Sequence, residues 1–458
     1  MVPEAQARGK DRGGEVTLLP LPCTQGRGSQ ICDQTVTDMN NALRFLAGVS
    51  VLGAVQVASS AAPAAIKFRV QEIDKSLKVG YAVVLTDVNA DGKKDVVVCD
   101  SNRVIWFDNA GGWKLHTITE GRVKPDNVCI DLYDIDGDKD LDLVLGADWQ
   151  FNNTKSGGTL QWLEQGPNID EPWKIHPILN ELPTLHRIRF ADFNNDGRPE
   201  LVVAPLKGRG ATQEKNLMDA PTQLLLFPIP TDPVKGPWES QVITETLHAN
   251  HNVHPCVFDD GGPMSLLTAS YEGVWLWKPE SGGKWSGRHV GAGHQADPNG
   301  PRGASELKLG RLKGGRRFIA TVEPLHGNYA VIYTEPRGGA GGSDPLWTRT
   351  VLDAQIKWGH AVWCADLDGD GGDELILGFR DPLPGIRGPG VNIYRAADPA
   401  AETLEWHKQV VEDKGVATED LACADLDGDG RIDIVAVGRA TRNARIYWNE
   451  GAGGDAGN

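Results

Sequence analysis

The sequence predicts an all-β fold, a seven-bladed β-propeller of four-stranded blades closed by an N-terminal strand that completes the last blade. Three observations predict it. An acidic turn recurs between β-type runs, an aromatic residue recurs five residues before an Ile or Val, and aromatic-ended strands recur at one spacing. Self-similarity at such a period is the signature of a repeat fold. In a chain of 458 residues it overrides the expectation of about three ordinary domains that length alone carries.

The acidic turns come first along each unit. They read Asp87-Asn89-Asp91-Asp95, Asp134-Asp136-Asp138-Asp142, Asp192-Asn194-Asp196-Glu200, Asp366-Asp368-Asp370-Glu374 and Asp425-Asp427-Asp429-Asp433. Alternate carboxylates on a tight turn bring their oxygens toward one point. That arrangement suits a hard cation such as Ca²⁺ or Mg²⁺ in a structural role. Strands flank these turns, and the acid at the twelfth position is missing, so they are not EF-hands.

The outer strands follow Trp113–Ile118, Trp173–Ile178, Trp238–Ile243, Trp285–Val290, Trp347–Val351 and Trp406–Val411, with a seventh copy, Phe68–Ile73, near the N-terminus. Before each internal copy lies an aromatic-ended strand: Val104–Phe107, Leu160–Leu163, Leu224–Phe227, Val274–Trp277, Ala330–Tyr333 and Val391–Tyr394. A seventh such strand, Ala444–Trp448, has no outer partner after it, only a Gly-rich tail. Phe68–Ile73 is expected to fill that place and pair an otherwise open edge. Blades four and five keep their strands but lose the acidic turn (Asp259-Asp260-Gly261-Gly262; Lys313-Gly314-Gly315).

The expected organisation is a leader or mis-assigned start over 1–38, a signal peptide over 39–65, the propeller over 66–450 and a disordered tail over 451–458. Arg44 is followed by the apolar run Phe45–Ala58 and a small-residue stretch, which reads as a secretory signal beginning at Met39. A secreted or periplasmic location follows, with no membrane span. The formal charge of −16 argues against a nucleic-acid partner. The cysteines Cys99, Cys129, Cys256, Cys364 and Cys423 fall in apolar runs without a C-x-x-C spacing and read as small hydrophobes.

The candidate site lies where the innermost strands begin. Six residues before the first turn acid, the blades present Tyr81, Val128, His186, His251, Ser305, His360 and Glu419. Three imidazoles and a carboxylate in one column are not what a strand core needs. The loops expected at the same mouth carry Lys207, Arg209, Tyr271, Glu272, Glu323, His326, Arg380, Asp381 and Arg439. Five of the eleven histidines, His186, His248, His251, His326 and His360, are expected there, whereas His116, His176 and His407 on outer strands read as surface groups. Imidazoles from several strands hold a catalytic metal with an open position. As a set these residues read as a metal or sugar site, the other reading being a solvated polar funnel whose histidines are satisfied by neighbours. Tyr271, Glu272, Glu306 and Glu419 are candidate catalytic groups, with Lys207, Arg209, Trp358, Arg380 and Arg439 binding substrate. Trp149 is a second candidate for stacking on a sugar face.

The turns resemble FG-GAP/VCBS propeller repeats. Leu185-His186-Arg187, Pro205–Arg209, Ser270–Gly273, Gly303–Glu306, Glu323–Gly327, Trp358–Ala361 and Thr418–Leu421 resemble the propeller domain of the aldos-2-ulose dehydratases. That resemblance implies a zinc-dependent hydro-lyase acting on a keto-sugar such as 1,5-anhydro-fructose. It also implies zinc ligands from among His186, His251, His326 and His360. Cupin and lectin-like domains follow the propeller in that family, so an isomerisation assigned to the cupin part is expected to be absent from this chain. The alternative is a non-catalytic, calcium-stabilised propeller that binds a glycan or a protein. A weaker third option is cleavage of uronic-acid polysaccharides by β-elimination.

Overall fold

A computed structural model describes residues 63–215, 219–297, 300–337, 345–401 and 404–453. The expected leader, and the signal peptide up to residue 62, lie outside these residues, as does the tail from 454. Seven four-stranded antiparallel sheets follow one another along the chain. Their innermost strands are Ala82–Thr86, Cys129–Tyr133, Leu185–Ala191, Asn252–Val257, Leu307–Arg311, Gly359–Ala365 and Thr418–Ala424. Neighbouring innermost strands contact one another around the ring. No helix among the described residues is long and apolar enough to cross a membrane.

The closing strand is as expected. Ile66–Asp74 pairs antiparallel with Ala444–Ala452 as the outer strand of blade seven. Its last-blade partner runs two residues past 450. Gln409 of blade six grips the strand's start, accepting from the Ile66 N–H and donating to its carbonyl. Glu72 takes Asn443 and Arg445 near its other end.

Burial explains the alternation along each strand. Seven buried clusters form, each shared by two adjacent blades. Blades two and three, for example, meet through Val144, Leu160 and Trp162 against Ile188, Leu201 and Phe227. Each blade therefore buries both faces only because its neighbours are present, as in other repeat architectures. The tryptophans serve this packing: Trp106, Trp162, Trp173 and Trp347 are all buried.

The fourth acid of every turn closes its blade. Asp95, Asp142, Glu200, Glu374 and Asp433 accept the N–H of Val88, Ile135, Phe193, Leu367 and Leu426 respectively. Asp95 and Asp142 also accept an N–H just past the third strand, from Asn109 and Gln165, and Asp433 accepts one within it, from Asn449. The first acid of each turn folds the loop, as Asp425 does by accepting from Gly428 and Gly430. Backbone capping thus draws on the same carboxylates that the sequence marks as candidate cation ligands.

Two outer-strand histidines depart from expectation. His116 and His176 are buried, not surface groups. Each lies directly across from a tryptophan, Trp106 and Trp162, and stacks on it with ring centroids 4.3 Å apart. Each also meets a carboxylate, Asp170 or Glu164, at 2.5 and 2.6 Å. All five cysteines of the described residues are free, Cys99 and Cys129 buried and the other three half-buried.

Candidate metal and sugar site at the propeller mouth

The backbone aims the site before any side chain does. Strand pairing slips by one residue at His186, at His360 and at Glu419. Such bulges turn a side chain out of the regular alternation. They present two imidazoles and a carboxylate at the mouth in place of aliphatic core residues. His326 arrives from the loop after Glu323, where its φ is +51°. A left-handed backbone costs a non-glycine residue on the order of 1 kcal/mol and concentrates at functional sites. Gly327 makes the loop possible, because a Cβ there would lie 2.1 Å from the Glu323 carbonyl carbon. Trp358, at φ +54°, carries the same strain next to Gly359.

These elements converge. One ring nitrogen from each of His251, His326 and His360 lies within 4.8 Å of the others. Nε2 of His251 and Nε2 of His326 are 2.7 Å apart. His360 donates from Nδ1 to the Glu419 carbonyl at 2.6 Å, which leaves its Nε2 a bare lone pair. His251 Nδ1 lies 3.0 Å from Glu306 Oε1, close but off the line of a well-aligned hydrogen bond. A carbonyl or carboxylate behind the ring, with the other nitrogen facing inward, is the usual support of a metal-binding imidazole. Burial pushes His326 and His360 well below the ordinary histidine range, so both rings are neutral donors. The donor set therefore fits a zinc-type ion. Taking one up would part the His251–His326 pair slightly.

His186 stands beside this set and not within it. Its ring centroid is 4.6 Å from that of His251, and its Nδ1 donates to the His251 carbonyl at 3.1 Å. Burial lowers its pKa well below the usual value as well. Behind the set lies Glu306, buried and bonded to Arg187 at 2.8 Å and to Asn252. Burial would raise its carboxyl, but Arg187 and His251 outweigh that and bring it down to about 2.

Above the imidazoles opens a cavity of about 290 Å³. Its walls include Tyr81, Trp149, Phe151, His186, Trp358, Arg380, Glu419 and Arg439. Glu419 is gripped by Arg380 and Arg439, each at 2.9 Å. Trp358 stacks on His326 at 5.2 Å, and Arg380 lies over its ring at 4.8 Å. Lys207 sits behind this wall, its Nζ over the Phe151 ring at 3.6 Å and donating to the Phe151 carbonyl.

The other expected residues fall elsewhere. Arg209 is exposed and pairs with Glu181 at 2.8 Å. Tyr271 is buried beneath Arg302 and does not line the cavity. Glu272 is bound to His248 at 2.8 Å and to Ser270, so His248 is also apart from the cluster. Arg187, Asn252 and Phe151 were not singled out from the sequence. Arg187 and Asn252 directly follow two histidines of the column, and a polar residue there was the available signal. No pattern marks Phe151.

At the opposite end of the strands, three acidic turns gather carboxylates within 4.8 Å: Asp134, Asp136 and Asp142; Asp366, Asp368 and Glu374; Asp425, Asp427 and Asp433. In the turns at Asp87 and Asp192 an amide, Asn89 or Asn194, takes the second place. Oxygen donors alone suit Ca²⁺ or Mg²⁺ and not zinc.

Comparison with known proteins agrees with the fold. The family described as aldos-2-ulose dehydratase, β-propeller domain, matches residues 157–336, and an FG-GAP-like repeat matches residues 87–145. The aldos-2-ulose dehydratase of Phanerodontia chrysosporium is 28% identical over 299 residues, covering 61% of this chain. The match takes in 32% of that enzyme, about a third of its length. Among solved structures, an Agrocybe aegerita lectin that recognises non-reducing terminal N-acetylglucosamine aligns over 77% of this chain and 87% of its own. It does so at 15% identity and a TM-score of 0.48. BBS1N, solved in complex with ARL6DN, aligns over 87% of this chain and 99% of its own at 12% identity and a TM-score of 0.49. The chain is thus a seven-bladed propeller with FG-GAP-like repeats, similar to the propeller domain of aldos-2-ulose dehydratase.

Proposed function

We propose that the mouth is the site of a zinc-dependent carbohydrate hydro-lyase, which removes water from a keto-sugar such as 1,5-anhydro-fructose or a related keto-glycoside by β-elimination. The observation that carries the reading is the trio His251, His326 and His360, whose neutral rings meet at the floor of an aromatic and polar cavity. Zinc bound there supplies Lewis acidity to the substrate carbonyl. The protein's own groups do the rest. Trp149 and Trp358 offer faces for the sugar ring. Two bases line the cavity outside the trio, His186 and Glu419. Both oxygens of Glu419 are taken up by the guanidiniums of Arg380 and Arg439, whereas the His186 Nε2 is bare. His186 therefore takes the proton α to the carbonyl. The C–H pair becomes the C=C bond, the β C–O bond breaks, and the hydroxide leaves with that proton as water. Glu306 positions His251 and touches no substrate.

The acidic turns are assigned structural Ca²⁺ or Mg²⁺, and the Met39 signal assigns a secreted or periplasmic location. The test is metal analysis of the purified protein together with an ultraviolet assay for the conjugated enone. Stoichiometric zinc and a chelator-sensitive enone signal are expected. Calcium alone, with no enone from any keto-sugar offered, sinks the proposal. The aromatic wall favours a second reading, a non-catalytic sugar-binding propeller. In that case His251→Ala and His360→Ala leave sugar binding nearly unchanged.

A further inference from the structure

The charges of the cavity do not balance. Arg187, Arg380 and Arg439 reach its lining, against one lining carboxylate, Glu419. Glu306 offsets Arg187 from behind. Arg380 and Arg439 must then share Glu419, and one guanidinium charge is left over. The imidazoles contribute no negative charge. Lys207 behind Phe151 adds a second cation, and among the described residues no carboxylate pairs with it.

The donors left over have a definite form. Arg380 reaches Glu419 through Nη1 alone, at 3.2 and 2.9 Å, and its other guanidinium nitrogens make no hydrogen bond among the described residues. Arg439 also uses Nη1 for Glu419, with its guanidinium 5.4 Å from the Tyr81 ring. A half-buried guanidinium with spare N–H groups matches a planar carboxylate in both charge and shape. A neutral ligand that displaces water from this wall leaves the surplus charge unpaired, which is costly.

We infer that the mouth selects a sugar bearing a carboxylate, a uronate or keto-acid sugar whose acid group lies against Arg380 and Arg439. The inference rests on the sugar-site reading and narrows its keto-sugar to one bearing an acid group, in place of the neutral 1,5-anhydro-fructose. With the acid group at the rim, the ring spans the aromatic wall and its reacting carbons face the imidazoles.

Isothermal titration of the purified protein with D-glucuronate and with D-glucose tests this, on the wild type and on Arg439→Gln. Arg439 is 43% exposed at the rim, so the variant retains the fold, which circular dichroism verifies. Glucuronate is expected to bind at least about tenfold more tightly than glucose, a charge-assisted bidentate contact being worth that much. Arg439→Gln should remove most of this preference. Equal binding of the two sugars overturns the acid-group inference and leaves the sugar site standing. A glucuronate preference that survives Arg439→Gln but disappears on chelation also overturns it, because the carboxylate then goes to the metal. Binding of neither sugar overturns the sugar-site reading and, with it, this inference.

Discussion

The two ends of the innermost strands obey different rules. At the turn end, five blades repeat one solution: a first acid that folds the loop and a fourth acid that accepts the N–H of the residue after the first. At the mouth end no such solution recurs. The column there reads Tyr81, Val128, His186, His251, Ser305, His360 and Glu419. What each blade needs in order to fold is repeated; what the ring needs once, as a whole, is not. In a propeller, a departure from the repeat therefore points to function more directly than the repeat does.

The largest test of this division is a crossed pair of variants, one at each end. His360→Ala removes one of three donors and should abolish stoichiometric zinc and the enone signal while barely moving the melting temperature. Asp427→Asn at the turn end should leave zinc and turnover intact. Glu306→Gln belongs with the mouth: loss of the carboxylate beside His251 should weaken zinc by about 10- to 100-fold. Competition against a chromophoric chelator measures all three. If Asp427→Asn lowers zinc occupancy as much as His360→Ala, the two ends are not separate.

The fold was legible because each blade states it again. The third-strand runs and the closing strand follow from hydrophobic alternation and an unfilled edge, and the structure has them. The mouth was legible only in part. The histidine column was readable because innermost strands begin at one distance from their turns. Tyr271 and Glu272 misled because all loops of that kind were taken to reach one mouth. In blade four the loop is a two-residue turn, with Ser270 paired to Gly273, too short to arch inward. In blade five the pair is Glu323 with Tyr329, and the longer loop carries His326 over the cavity. The buried His116 and His176 escaped for a different reason. Their partners are directly across the sheet, and a single strand does not reveal its cross-strand neighbour.

Within the turn end, the two kinds of acid should separate. Asp433 is buried and accepts from Leu426 and Asn449, so Asp433→Asn should destabilise by about 1–3 kcal/mol with or without chelator. Asp427 is exposed and its variant should lower the melting temperature only when calcium is present. Thermal melts in calcium and in EDTA compare them. Equal loss in both buffers for both variants removes the case for a bound cation.

Blades four and five sharpen the same comparison, because they lack the turn. There Arg317 bridges Asp259 and Glu335, and Lys278 also reaches Asp259. Side-chain cations stand where other blades gather carboxylates. Arg317 also lies over Phe258 at 4.5 Å, so Arg317→Ala loses packing as well as charge. Its partners are half-exposed, which limits the expected loss to about 1 kcal/mol. That loss should be the same with and without calcium; a calcium-dependent loss would mean that this region too holds an ion.

The smallest expected effect returns to the mouth, at Lys207. Burial lowers its ammonium from the usual range to about 8, and no carboxylate of the described residues offsets it. Between that value and the unfolded lysine value of about 10.4, the unfolded chain holds a proton that the folded one has lost. Stability contributed by this group therefore rises with pH across the window and is flat below it, where both states are protonated. Lys207→Met should flatten the slope between about pH 8 and 10 and raise stability slightly at neutral pH. Urea midpoints at several pH values measure it. An unchanged slope would mean that Lys207 stays charged under Phe151, held by the carbonyl and the ring face alone, and that the mouth carries its surplus cation permanently.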